Sequence, residues 1–154
     1  EDVGEAKRLM KSLNSTAAEV MKTYGVRAAT DITGFGLAGH ALRMARAGNV
    51  TLRLNLSDLP LIGDTYRLVD EGCIPGASFR NLDFVEKDTV FAADLDYNLK
   101  MIAMDAQTSG GILMCVRPGS APGALEDLKA AGMTESAIIG SVSTREEKYL
   151  ILSE

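Results

Sequence analysis

The sequence predicts an α+β domain in which a mixed β-sheet is flanked by helices. Three observations predict it. Val50, Leu52, Leu54 and Leu56 alternate with Thr51, Arg53 and Asn55, the period of a strand with one buried face. Ile112–Val116 is a short, continuously apolar run. Elsewhere along the chain, apolar residues return at three- and four-residue steps in several stretches, the period of amphipathic helices. A chain of 154 residues with 46% hydrophobic and 24% charged residues is expected to form one domain with its own core.

Taken in order, Ala6, Leu9, Met10, Leu13, Ala17, Val20, Met21 and Tyr24 make residues 5–24 helical. Asn14-Ser15-Thr16 is a place for that helix to split, with Thr16 and Glu19 as a capping-box pair, and Gly25 is a stop. A second helix starts within the glycine-rich stretch after Asp31 and ends near Gly48-Asn49, with Leu37, Ala38, Ala41, Leu42 and Ala45 on one face and Gly36, His40, Arg43 and Ala47 on another. The alternating strand follows, closed by Ser57-Asp58-Leu59-Pro60. Ile62, Tyr66 and Val69 predict a helix over about 61–72, and 74–96 reads as a long irregular connection. Asp94-x-Asp96-x-Asn98 imitates the start of a calcium loop, but Leu99 occupies the place of the required glycine, so a helix over 98–104 is preferred. After the polar link 105–111, Ile112–Val116 is expected as a central strand. A helix from Ser120 and Pro122 to Gly132 follows, and two strands, 137–143 and 149–152, close the chain as a hairpin across the charged 144–148 link.

The net charge of −5 argues against a nucleic-acid surface. Cys73 and Cys115 lie far apart without a C-x-x-C pattern, so neither zinc nor a disulfide framework is indicated. No apolar stretch has the length of a membrane span and no signal peptide is visible, which fits a cytoplasmic protein.

The chemistry concentrates in Thr30-Asp31-Ile32-Thr33-Gly34-Phe35-Gly36-Leu37-Ala38-Gly39-His40. A strand, a glycine turn and a helix together aim backbone N–H groups and the positive end of a helix dipole at one spot, which suits an anion. Gly34, Gly36 and Gly39 satisfy G-x-G-x-x-G, and Asp58 lies about twenty residues on, as a dinucleotide site asks. The preceding Arg27–Asp31 run is too small and polar for such a site's first strand, and the Asp31 carboxylate repels a pyrophosphate. A divalent cation between the two reverses the sign, because Mg²⁺ is held by one or two carboxylates plus substrate phosphates. On residue types alone Asp31 or Thr33 reads equally as a helix cap.

Three motifs carry a family resemblance. Thr30-Asp31-x-Thr33-Gly34-Phe35-Gly36-Leu37-x-Gly39-His40 resembles the signature of selenophosphate synthetase (selenide, water dikinase), in the part belonging to its C-terminal domain. Asp105-Ala106-Gln107-Thr108-Ser109-Gly110-Gly111 resembles that family's D-P-Q-T-S-G-G, with alanine for proline. Pro75-Gly76-Ala77-Ser78-Phe79-Arg80-Asn81 resembles P-G-G-T-x-R-N, with Ala77-Ser78 for Gly-Thr. The resemblance implies the fold of the C-terminal domain of aminoimidazole ribonucleotide synthetase and its relatives. It also implies an enzyme making selenophosphate, AMP and phosphate from selenide, ATP and water.

On this reading residues 1–154 are a C-terminal domain of a longer synthetase, since the chain begins without methionine and inside helical sequence. The nucleophilic Cys or Sec and the essential Lys would belong to an N-terminal ATP-binding domain, the partner within the same polypeptide. The full-length protein would be a homodimer, and residues 1–154 alone would be inactive. Asp31 is the implied Mg²⁺ ligand, and Thr30, Thr33, Gly34, Gly36, Gln107, Thr108, Ser109, Gly110 and Gly111 are the implied lining of the ATP phosphate cleft. No catalytic residue is assigned within this chain. The 107–111 loop also reads as a turn that bonds its own backbone. His40 reads as a base, a partner of the glycine turn or a structural histidine, Arg80 as a phosphate clamp or a salt-bridge arginine, and Asp105 as a second metal carboxylate or a turn residue. The alternatives are the C-terminal domain of a related ATP-dependent synthetase or kinase, and a non-catalytic nucleotide-binding module.

Overall fold

A computed structural model describes residues 2–154. Helices α1 (Asp2–Lys11) and α2 (Ser15–Thr23) replace the single stretch 5–24, split where Asn14 interrupts them. The capping box does not form: Asn14 is the N-cap and makes no side-chain capping bond, while Glu19 instead accepts from Lys22 at 2.7 Å. Gly25 at φ 59° ends α2, with Val26 N–H donating to the Met21 carbonyl and Gly25 N–H to that of Lys22, a Schellman ending.

Among the described residues, six strands form two sheets. β1 (Ala28–Asp31) pairs antiparallel with β4 (Ile112–Cys115), Ala28 opposite Cys115 and Asp31 opposite Ile112. The second sheet has the order β3 (Thr89–Phe91), β6 (Leu150–Ser153), β2 (Val50–Asn55), β5 (Gly140–Thr144). β6 runs parallel to both β3 and β2, and β5 runs antiparallel to β2, so the sheet is mixed, as expected. With its helices the chain is an α+β domain.

The expected closing hairpin is absent, because β2 lies between β5 and β6. Flanked by β3 and β2, β6 brings Leu150 and Leu152 to complete burial. The charged link is tied to β2 rather than turning tightly: Thr51 Oγ1 donates to the Lys148 carbonyl (2.7 Å) and accepts from Glu146 N–H (2.9 Å). Thr51, placed by alternation on the solvent face, is therefore buried beneath that link.

β4 is likewise not central, having only β1 as a neighbour. Its apolar continuity has another cause. Leu113 and Cys115 pack on the larger core, while Ile112, Met114 and Val116 pack on a smaller one built by Ala17 and Val20 of α2 with Ala124 and Leu128 of α7 (Ala121–Ala130). Each face of β4 is thus partly covered, by a different layer.

The larger core joins Ala38, Ala41, Leu42 and Ala45 of α3 (Gly36–Gly48) to Leu52 and Leu54 of β2 and to Leu150 and Leu152 of β6. The region 74–96 is not irregular, since it holds α5 (Gly76–Val85) and β3. Its buried face is mixed: Ser78 and Asn81 are buried with Val85 while Phe79 and Phe84 are exposed, which weakens the apolar periodicity of a helix. α4 (Thr65–Asp70) is shorter than expected and buries none of its residues. α6 (Tyr97–Ala103) is capped by Asp96, whose Oδ1 accepts from Leu99 N–H at 2.9 Å, so the calcium-like run is a helix start. Among the described residues, no helix is long and apolar enough to cross a membrane.

Candidate functional site

The turn between β1 and α3 is shaped by Gly36. It sits at φ 66°, and a Cβ there would lie 2.7 Å from the Met104 carbonyl carbon and 2.9 Å from the Asp105 oxygen. Only glycine meets both demands. The N-cap of α3 is Phe35, and no side chain makes a capping bond, so neither Asp31 nor Thr33 is the cap.

Thr33 is instead bonded to His40, one turn into α3. Thr33 N–H donates to Nε2 at 3.1 Å and Thr33 Oγ1 lies 3.0 Å from the same nitrogen. An N–H donor requires an unprotonated Nε2, which assigns the proton to Nδ1, 3.4 Å from Thr30 Oγ1. That hydroxyl donates in turn to the Asp31 carbonyl at 3.1 Å. His40 thus fastens the chain on both sides of Asp31, as a structural partner of the turn. It is buried rather than solvated; burial chiefly, with the Arg43 charge, holds its pKa below 6.5 against an opposing pull from Asp31.

The turn and the 105–111 link, more than seventy residues apart, are laced together. Ile32 N–H donates to the Gly111 carbonyl (2.9 Å), Gly110 N–H to that of Ile32 (2.9 Å), and Gln107 N–H to that of Thr33 (3.1 Å). Gly110 allows the approach, since a Cβ there would stand 3.1 Å from both the Gln107 and the Ile32 side chains. Gln107 Nε2 donates to Asp105 Oδ2, tying the two side chains of the link together. Half-burial raises the Asp105 pKa above 3.8, opposed chiefly by the Gln107 bond. The hydroxyls of Thr108 and Ser109 make no hydrogen bond among the described residues, so this loop is not a turn that folds its side chains onto its own backbone.

The third motif joins the same place through Asn81. Its Nδ2 donates to the carbonyls of Gly34 and Met104, each at 2.9 Å, tying the glycine turn to the end of α6. Arg80 is exposed and donates to the Gly76 carbonyl of its own helix. Sequence reasoning weighed Arg80 and passed over Asn81, although a buried polar residue amid a weakened apolar pattern is the signal of such a brace.

Asp31 is exposed, at the end of β1. Asn14 Nδ2 donates to its Oδ1 at 2.8 Å, and no cation pairs with it among the described residues. Among those residues there is no group of three or more His, Cys, Asp or Glu able to hold a metal. A lone carboxylate beside an anion-suited turn fits a cation shared with a ligand's phosphates, not a self-sufficient metal centre. An open groove of about 560 Å³ runs between β1 and α3, lined by Arg27, Thr30, His40, Arg43 and Met44 and extending away from Asp31 towards Gly48. The dinucleotide reading of the glycines fails on topology: β1 pairs antiparallel with β4, and β2, the strand after α3, lies in the other sheet.

Residues 1–153 match the family described as AIR synthase related protein, C-terminal domain. A selenide, water dikinase of Porphyromonas gingivalis is 45% identical over 136 residues, covering 88% of this chain and 38% of that protein. One from Clostridioides difficile is 37% identical over 142 residues (92% and 41%), and one from Paraburkholderia xenovorans 40% over 140 residues (91% and 40%). The chain thus spans about two-fifths of the length of these relatives. With the expected mixed sheet and the three motifs gathered at one turn, the chain belongs to the AIR synthase related C-terminal domain family.

Proposed function

We propose that residues 1–154 are the C-terminal domain of an ATP-dependent selenophosphate synthetase, which converts selenide, ATP and water to selenophosphate, AMP and phosphate. The observation that carries the reading is the position of Asp31, an exposed carboxylate without a cationic partner among the described residues, at the mouth of the turn that the 107–111 loop closes. The relatives are selenide, water dikinases, and this supplies the substrate.

In this reading Asp31 is a ligand of a Mg²⁺ ion shared with the phosphates of ATP. The ion neutralises phosphate charge when bound. The residues of this chain bind and orient. Within the Thr33–Gly36 turn the Thr33 and Gly36 amides are taken by His40 and the Thr33 carbonyl, so the Gly34 and Phe35 amides face the phosphates, and the Thr108 and Ser109 hydroxyls supply further donors at its edge. Thr30, Gln107, Gly110 and Gly111 hold the two segments in register. The nucleophile and most ATP contacts come from an N-terminal domain of the same polypeptide, and the whole protein is a cytoplasmic homodimer.

Selenide-dependent AMP release tests this. The full-length protein is expected to form AMP only with selenide present, and residues 1–154 alone to form none. ATP consumption indifferent to selenide would move the domain to a related synthetase or kinase, and AMP formed by residues 1–154 alone would overturn the half-site reading.

A further inference from the structure

We infer that Asn14 is a positioning residue for Asp31, orienting the carboxylate while leaving its charge available to a cation. The inference rests on Asp31 as a ligand of the phosphate-bound metal. Asn14 stands at the N-cap of α2, where an asparagine side chain ordinarily accepts from the helix's own first amides. Here no such bond exists. The amide reaches 17 residues along the chain, and Nδ2 donates to Asp31 Oδ1 at 2.8 Å. Asn14 is half-buried and Asp31 exposed, so the contact fixes the carboxylate from its protein side.

The chemistry of the donor matters. A lysine or arginine would orient Asp31 equally well, but its positive charge would compete with a metal ion for the same oxygens. A neutral amide occupies one oxygen with one N–H and subtracts no charge. Oδ2 keeps its lone pairs, with no partner among the described residues. His40 secures the backbone on either side through Thr30 and Thr33, so Asn14 removes the remaining freedom, rotation of the side chain itself. Partners that orient a ligand in this way commonly change metal affinity by about tenfold or more.

Asn14→Ser separates this role from a structural one. Serine is a good N-cap but too short to reach Asp31. In the full-length protein with a non-hydrolysable ATP analogue, Mn²⁺ binding is read by electron paramagnetic resonance beside thermal melts. Asn14→Ser is expected to weaken Mn²⁺ binding about tenfold with an unchanged or higher melting temperature. Placed on Asp31→Asn, it should weaken binding no further. Should Asn14→Ser fail to fold, Asn14→Leu, of similar volume and without a donor, replaces it. Unchanged Mn²⁺ binding in Asn14→Ser, with binding lost in Asp31→Asn, would overturn the role of Asn14 and leave that of Asp31 standing. An equal loss on the Asp31→Asn background would show that the effect does not run through Asp31 and overturn it too. Unchanged binding in Asp31→Asn would remove both readings together.

Discussion

The backbone amide of Thr33 donates to Nε2 of His40 at 3.1 Å, so this buried imidazole has to be neutral for the turn to close. Its folded-state pKa lies below the unfolded 6.5, chiefly through burial. Between those values the unfolded chain binds a proton that the folded chain refuses, so stability falls as pH drops below 6.5 and is complete above it. Asp105, raised by burial, acts in the opposite sense at lower pH, the folded state taking up its proton first. Thermal melts of the chain should therefore fall from pH 7 towards pH 5, a window set by the ordinary histidine pKa of about 6.5. His40→Gln keeps an acceptor for Thr33 and cannot titrate, and its melts should lose that part of the slope. An identical slope in the variant would contradict the assignment.

Gly36→Ala tests the turn's geometry. Alanine at φ 66°, with its Cβ against the Met104 carbonyl, combines left-handed strain with a steric overlap. Strain alone costs roughly 1–2 kcal/mol. Urea denaturation should show a loss of more than about 2 kcal/mol. Gly34→Ala, at a position where a Cβ meets nothing within 4 Å, should cost far less.

Neighbouring Arg80 and Asn81 should differ sharply. Asn81→Leu leaves the Gly34 and Met104 carbonyls without their donor in a buried setting, a loss of about 2–3 kcal/mol in the same denaturation experiment. Arg80→Ala removes an exposed bond within its own helix and should stay within about 0.5 kcal/mol of the parent.

What the sequence made legible, and what it hid, follows from how local each signal is. β2 and α3 were readable because one layer covers one face, which gives a clean period of 2 or 3.6. β4 was recognised as a strand but misplaced, because an apolar run records that both faces pack on apolar neighbours and not which layers supply them. Here α2 and α7 cover one face and the larger core the other. The order of β5, β2 and β6 depends on the link tied to Thr51, a contact between residues nearly a hundred apart. α5 was hidden because its buried residues include the polar Ser78 and Asn81, the latter placed to hydrogen-bond the Gly34 and Met104 carbonyls and not for apolar packing. Within the site, the glycine turn was readable from residue type and spacing, whereas Asp31 was singled out by the family resemblance, since on residue types alone it reads as a helix cap. Asn14 was not, since an asparagine at a helix start reads as a cap until its side chain is seen elsewhere.

Asp31→Asn in the full-length protein tests the central claim most directly. The change is nearly isosteric, and since α3 has no side-chain cap there is no capping bond to lose. Selenide-dependent AMP release is measured across a Mg²⁺ series, beside thermal melts. The account predicts a melting temperature close to the parent's, AMP release abolished at limiting Mg²⁺, and partial recovery at high Mg²⁺, because an amide carries no charge to balance the ion. Near-parental AMP release at limiting Mg²⁺ would contradict it.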